Sequence, residues 1–142
     1  MASLRISKDL LERLESMVMA GYPNETCGVI AGKARDSAVD VCNVMAARNL
    51  NTERGHDRYE LAPDDMLAAD REAARLGLDI VGIWHSHPDH PAQPSETDRM
   101  AAWEGWSYVI LSVTREKVVE LRSWRLNGVR QFVEEKIEKC QT

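Results

Sequence analysis

Five consecutive residues, Ile80-Val81-Gly82-Ile83-Trp84, carry no charge, and the chain turns polar directly after them at His85-Ser86-His87. A near-continuous apolar run of this kind suits a strand covered on both faces, in the middle of a sheet. Side chains alternate across a strand, so residues i and i+2 point the same way. His85 and His87 therefore share one face, close enough to share a metal ion. Pro88, Pro91 and Pro94 follow, and prolines cannot continue a central strand. The strand thus leaves the core near the two histidines. Ser95 is a good helix N-cap with Glu96, Thr97 and Asp98 in the first turn, and Asp98 can swing back as a third, oxygen ligand. Two imidazoles and one carboxylate suit zinc. Three protein ligands leave the fourth position for water, which is the catalytic rather than the structural arrangement.

The rest of the chain supplies the elements around that strand. Leu4-Arg5-Ile6 is a short strand, and Ser7 caps a helix to about Ala20 whose Leu10, Leu11, Leu14, Met17 and Val18 follow helical spacing. Gly21 and Pro23 end it. Residues 27–31 are an apolar strand between glycines, and residues 38–44 alternate as a half-buried strand does. Residues 49–57 are a polar loop and 58–61 a short strand. A helix opens at Pro63, with Asp64 and Asp65 at its positive end, Met66, Ala69, Ala73 and Leu76 on its buried face, and Gly77 after it. A short helix runs from Ser95 to about Trp103. Ser107–Val113 is an apolar strand, Arg115-Glu116 a turn, and Val118–Leu126 an antiparallel partner. Asn127-Gly128 is a hairpin signal. Residues 129–137 allow a helix, but a partner for Val118–Leu126 favours a strand.

Glu25 stands in the turn before the strand at 27–31. Alone it reads as a solvated loop carboxylate. Beside a metal site it has another use, since metal-assisted peptide hydrolysis needs a general base and a glutamate is the usual choice. His56 and His90 lie in loops outside any such pattern and read as ordinary surface histidines.

Composition sets the bounds. A chain of 142 residues fits one domain, residues 1–142, and its 44% hydrophobic content can bury a full core. Lys and Arg number 18 against 23 Asp and Glu, a net charge of −5. Nucleic-acid binders generally need a basic surface, so nucleic acid is excluded as the main partner, while a basic protein substrate is not. Cys27, Cys42 and Cys140 give no disulfide framework and no C-x-x-C zinc site; they read as free thiols of a reducing compartment. No leader and no membrane-length apolar run is visible, so the expected location is cytoplasmic, with no membrane partner.

The residues together resemble a known family. Glu25, then His85-Ser86-His87-Pro88, six intervening residues, and Ser95-x-x-Asp98 are similar to the JAMM (MPN-plus) zinc metalloprotease signature. The likeness extends to Pro23-x-Glu25-x-Cys27-Gly28-x-Ile30-x-Gly32 and to Gly82-Ile83-Trp84 before the histidines. It reaches from the first helix to the strand at Ser107–Val113, with no departure at the five signature positions.

The resemblance implies an α/β fold related in layout to cytidine deaminases, a mixed, curved sheet with a long helix on either side. It implies one zinc ion per chain on His85, His87 and Asp98, with Glu25 as general base and Ser95 as donor to the oxyanion. The family cleaves amide bonds after the C-terminal glycine tail of ubiquitin-like proteins. A short chain like this one resembles the prokaryotic members, which act on sulfur-carrier proteins with a Gly-Gly tail. The tail would add as a strand beside residues 49–61, and small members often pair as homodimers. The competing expectation is a metal-free MPN-type scaffold, which the intact set Glu25, His85, His87, Ser95 and Asp98 opposes. A DNA-repair relative with a similar His-x-His-Pro motif is disfavoured by the net charge of −5. Whether Cys27 packs beside the site or senses oxidation is open at this level.

Overall fold

A computed structural model describes residues 3–51 and 59–141. The described residues form β1 (Ser3–Ser7), α1 (Lys8–Gly21), β2 (Cys27–Arg35), β3 (Ala38–Ala47), α2 (Pro63–Arg75), β4 (Asp79–Pro88), α3 (Glu96–Ala101), β5 (Ser107–Val113), β6 (Val118–Leu126) and β7 (Phe132–Cys140). The strands lie in the order β1-β3-β2-β4-β5-β6-β7, and β7 pairs in turn with β1. β1 runs parallel to both β3 and β7, and β4 runs parallel to β5; the remaining pairs are antiparallel. The sheet is therefore mixed and curved, as expected, and its curvature goes as far as closure.

The pleat sorts the core into two parts. Ile30, Trp84 and Val109 pack with Leu11, Leu14 and Val18 of α1. Their neighbours Val29, Ile83 and Tyr108 join Ala69 of α2 on the opposite face. Each helix thus covers one face of the central strands, which is why β4 is buried from Val81 to Pro88. Ser7 caps α1 by accepting a hydrogen bond from the Leu10 N–H at 3.2 Å. Trp84 lies across β2, and its Nε1–H donates to the Met45 carbonyl at 3.0 Å. Gly28 makes that approach possible: a Cβ there would stand 2.0 Å from the Met45 oxygen and 2.4 Å from Trp84 Nε1.

Several expected boundaries move, each for a local reason. β4 does not stop at Trp84, because Ser86, His87 and Pro88 stay in register with Leu111, Ser112 and Val113 of β5. The strand expected at 58–61 reduces to one bridge, Asn49 with Leu61; Arg58 lies outside the described residues, as does His56. Leu76 is not on the buried face of α2 but is its C-cap, 44% exposed, before Gly77 turns the chain at φ 72°. α3 ends at Ala101 rather than Trp103. The β6–β7 connection is longer than a two-residue hairpin. The Asn127 N–H donates to the Gln131 carbonyl, the Asn127 side chain accepts from the Val129 and Gln131 N–H groups, and the left-handed residue is Arg130. Residues 132–140 are a strand, as the need for a β6 partner required. Among the described residues no helix is long and apolar enough to cross a membrane.

Candidate metal centre and active site

His85 and His87 sit on the α2 face of β4, the face of Ile83, as the alternation demands. Both are buried. Their Nε2 atoms are 3.2 Å apart, and Asp98 Oδ2 lies 3.4 Å from the first and 3.3 Å from the second. Asp98 is placed by the start of α3, where Ser95 and Asp98 form a reciprocal cap: the Asp98 N–H donates to Ser95 Oγ at 3.0 Å and the Ser95 N–H to Asp98 Oδ2 at 2.8 Å. Ser95 itself is exposed, and its hydroxyl accepts in the cap while keeping its own proton to donate.

Glu25 reaches the same centre from the turn just before β2. It is buried, and its carboxylate and the ring nitrogens of His85 and His87 lie within 4.8 Å of one another. Ser86, between the histidines, faces the other way and joins the two strands beyond their regular ladder. Its Oγ accepts from the Thr26 N–H at 2.9 Å, and its own N–H donates to the Thr26 carbonyl at 2.9 Å. Asn49 Nδ2 donates to the Glu25 carbonyl at 3.1 Å. The structure so gathers Glu25, His85, His87 and Asp98, with Ser95 at the rim. His90 stays outside, exposed in the loop after β4.

The hydrogen bonding fixes what these atoms offer. His87 Nδ1 is 2.9 Å from the Pro91 carbonyl. A carbonyl only accepts, so Nδ1 carries the proton and neutral His87 turns the Nε2 lone pair inward. There it meets His85 Nε2 and Asp98 Oδ2. Burial pushes the His85 pKa down, despite Asp98. For His87 burial acts the same way, but Asp98 and the Pro91 carbonyl outweigh it and its pKa is raised. Burial opposes the charge of Asp98 too, yet hydrogen bonds from His85 and His87 hold it far below the usual carboxylate range. Three atoms able to ligate a metal thus converge in one buried space. Two imidazole nitrogens and a carboxylate oxygen fit zinc well, and His85, His87 and Asp98 or Glu25 could hold it.

The loop that presents the Pro91 carbonyl is itself clamped by β5 and β6. Ser112 Oγ donates to the His90 carbonyl. The Ala92 N–H donates to Glu120 Oε1 at 2.8 Å, and Trp124 Nε1–H donates to the Ala92 carbonyl at 3.0 Å. Ala92 is fully buried, so its backbone groups depend on those side chains. Groups that orient a metal-ligating histidine are worth about 10- to 100-fold in metal affinity. Glu120→Leu is therefore expected to weaken zinc binding by about that factor, read by titration against a competing chelator; an unchanged affinity would detach the clamp from the centre. Sequence reading missed this clamp, and no spacing announces it, because its side chains bind backbone. It also missed Tyr59, whose ring stacks on His85 with centroids 4.5 Å apart. Ser86 was within reach, since alternation alone turns it away from its two neighbours.

Cys27 lies beneath the Glu25 turn, 1% exposed. Burial, with Glu25 and Asp65 adding to it, pushes its thiol up to about 12. A raised thiol pKa leaves almost no thiolate at neutral pH, and the thiolate is the reactive form. Burial and the raised pKa both disfavour reaction of Cys27 in the folded protein. In the folded protein an aromatic disulfide reagent at pH 8 is expected to titrate exposed Cys42 at once and to leave Cys27 unmodified until denaturant is added.

With the geometry in hand, comparison with known proteins is informative. A desampylase of Haloferax volcanii is 38% identical over 93 residues, covering 63% of this chain and 63% of that protein; the chain thus aligns with less than two thirds of that relative's length. A CysO-cysteine peptidase of Mycobacterium bovis is 32% identical over 124 residues, covering 87% of this chain and 82% of the other. The solution structure of a protein from Desulfitobacterium hafniense superposes with a TM-score of 0.86 at 26% identity, over 98% of this chain and 94% of that one. The family model described as prokaryotic homologs of the JAB domain matches residues 7–127, from the cap of α1 to just past β6 and across every residue of the centre, and the chain belongs to that family.

Proposed function

We propose that residues 1–142 act as one zinc-dependent peptidase domain that hydrolyses the amide bond after the Gly-Gly end of a ubiquitin-like or sulfur-carrier protein. The observation that carries this reading is the convergence of His85 Nε2, His87 Nε2 and Asp98 Oδ2 with the buried Glu25 carboxylate beside them. A scaffold has no use for so many ligand-capable side chains gathered in one buried place. Relatives described as a desampylase and a CysO-cysteine peptidase support the substrate class. A cytoplasmic location and pairing as a homodimer are further parts of the proposal.

In this reading His85, His87 and Asp98 hold the metal, which when bound supplies Lewis acidity to the scissile carbonyl and to water. Glu25 takes a proton from the attacking water and hands it to the leaving amine. Its burial keeps that carboxylate out of bulk water and facing the histidines. Ser95 donates its hydroxyl proton to the oxygen that becomes negative as the carbonyl turns tetrahedral, a contact that strengthens only in the transition state. The cap holds that hydroxyl in place, because accepting from the Asp98 N–H fixes the oxygen and leaves the proton to point outward.

The direct test is zinc-loaded protein with a sulfur-carrier protein extended beyond its Gly-Gly end, followed by mass spectrometry. Cleavage after the second glycine is expected, and an intact substrate across a panel of such carriers would end the proposal. Ser95→Ala is expected to lower kcat by roughly 100- to 1,000-fold. It also removes the α3 cap, worth about 1 kcal/mol, so the thermal midpoint is measured alongside. A rate loss no larger than that destabilisation explains would leave Ser95 a cap alone.

A further inference from the structure

A Gly-Gly end brings no side chains to the centre, yet a cavity of about 510 Å³ opens beside it. That volume falls within the roughly 300–1,000 Å³ typical of sites built for small ligands. Its walls are Met66 and Ile83 from the α2 side and Trp103, Trp106 and Tyr108 from the segment around the start of β5. The polar tip of Tyr108 is already engaged, since its Oη accepts from the Trp103 N–H at 2.7 Å. What this wall offers is therefore ring and aliphatic surface. Trp103 is 69% exposed, a large aromatic left open at the rim.

The catalytic groups tell which side of the scissile bond the cavity serves. Ser95 and Asp98 line it; Glu25 does not. Glu25 must stand by the leaving amine in order to protonate it, and Ser95 by the carbonyl oxygen. The cavity therefore lies on the acyl side, where the carrier's own tail enters. Tyr59, Glu60 and Leu61 form a further stretch of its wall, consistent with an extended tail running past them. An extended chain alternates its side chains, so one of the two residues just before Gly-Gly faces this wall.

We infer that this cavity is a specificity site that takes a large apolar side chain, leucine- to phenylalanine-sized, from one of the two residues preceding Gly-Gly in the substrate's tail. The inference rests on the proposed cleavage after Gly-Gly and deepens it: the glycines pass the metal centre, and the residue before them is read. Full burial of such a side chain makes a tail carrying it better than its alanine counterpart by roughly ten- to a hundredfold in kcat/KM. An aspartate at that position is rejected, since Glu60 and Asp98 line the cavity and no cationic side chain among its lining residues pairs with it.

The experiment uses zinc-loaded protein and short blocked peptides ending in Gly-Gly joined to a fluorogenic amine. Leu, Phe, Ala, Lys or Asp is placed in turn at each of the two positions before the glycines. One position is expected to prefer Leu and Phe over Ala by the stated factor. Ala101→Phe, which puts a ring into the cavity from the exposed end of α3, is expected to bring the Leu-to-Ala ratio at that position toward one. Cleavage with no preference at either position, or a ratio that Ala101→Phe leaves intact, overturns the inference while the peptidase reading stands. Failure to cleave any of these peptides and any Gly-Gly-extended carrier protein overturns both.

Discussion

Glu25→Gln is expected to lower kcat/KM on a Gly-Gly-extended carrier by at least about 100- to 10,000-fold, the usual contribution of a positioned acid–base group, and to leave zinc bound. The substitution is nearly isosteric and the site is buried, so packing changes little; what disappears is the carboxylate proposed to accept the water's proton and return it to the amine. The retained zinc matters as much as the lost rate. Two ligand sets compete on geometry: His85 and His87 with Asp98, or the same pair with Glu25, whose carboxylate and the two ring nitrogens fall within 4.8 Å of one another. Asp98 Oδ2 is nearer, at 3.3 and 3.4 Å, and is held anionic by both rings. Asp98→Asn is accordingly expected to lose metal. Elemental analysis of both variants decides the matter: zinc missing from Glu25→Gln and present in Asp98→Asn would exchange the two roles.

His87→Ala is expected to remove measurable zinc and all detectable hydrolysis. Groups that merely orient a ligand are worth about 10- to 100-fold in affinity, so loss of a ligand must exceed that. Stability supplies an independent readout. A metal that binds only the folded state raises its thermal midpoint by mass action, and added zinc is expected to do so for the wild-type chain and not for His87→Ala. The metal-free proteins are compared in the same experiment, because His87→Ala also loses the packing of the ring and its contact with the Pro91 carbonyl. A zinc-dependent rise that survives in His87→Ala would place the metal elsewhere.

Much of this centre was legible because its signals are local. Two histidines one residue apart on an apolar strand, a proline loop and Ser-x-x-Asp each obey rules that act over a few residues, and these do give the observed strand end and capped helix. Glu25 needed more: periodicity offered only a loop carboxylate, and its proximity to His85 comes from the β2–β4 ladder, where Cys27 stands opposite His85. The clamp on Pro91 and the stacking of Tyr59 were illegible, since both join side chains to partners far away in sequence. The overrun of β4 has the same origin. Trp84 closes the apolar pattern, but strand length was decided by β5, which keeps pairing through Pro88. Closure of the sheet was beyond sequence pattern as well, because nothing in Leu4-Arg5-Ile6 says that it will have two neighbours.

That double pairing of β1 has a consequence for how the molecule is made. Arg5 lies between Asp40 and Glu138. β1 meets β3 across a short separation in sequence, with Ser3 opposite Ala38, and β7 across a long one, with Ser3 opposite Lys136. Contacts so distant along the chain form late and slowly. Glu25, His85, His87 and Asp98 all lie in sequence before β5, ahead of the strand that completes the closure. The β1–β7 pairing that closes the sheet is therefore expected to form late in folding, remote in sequence from the groups of the centre.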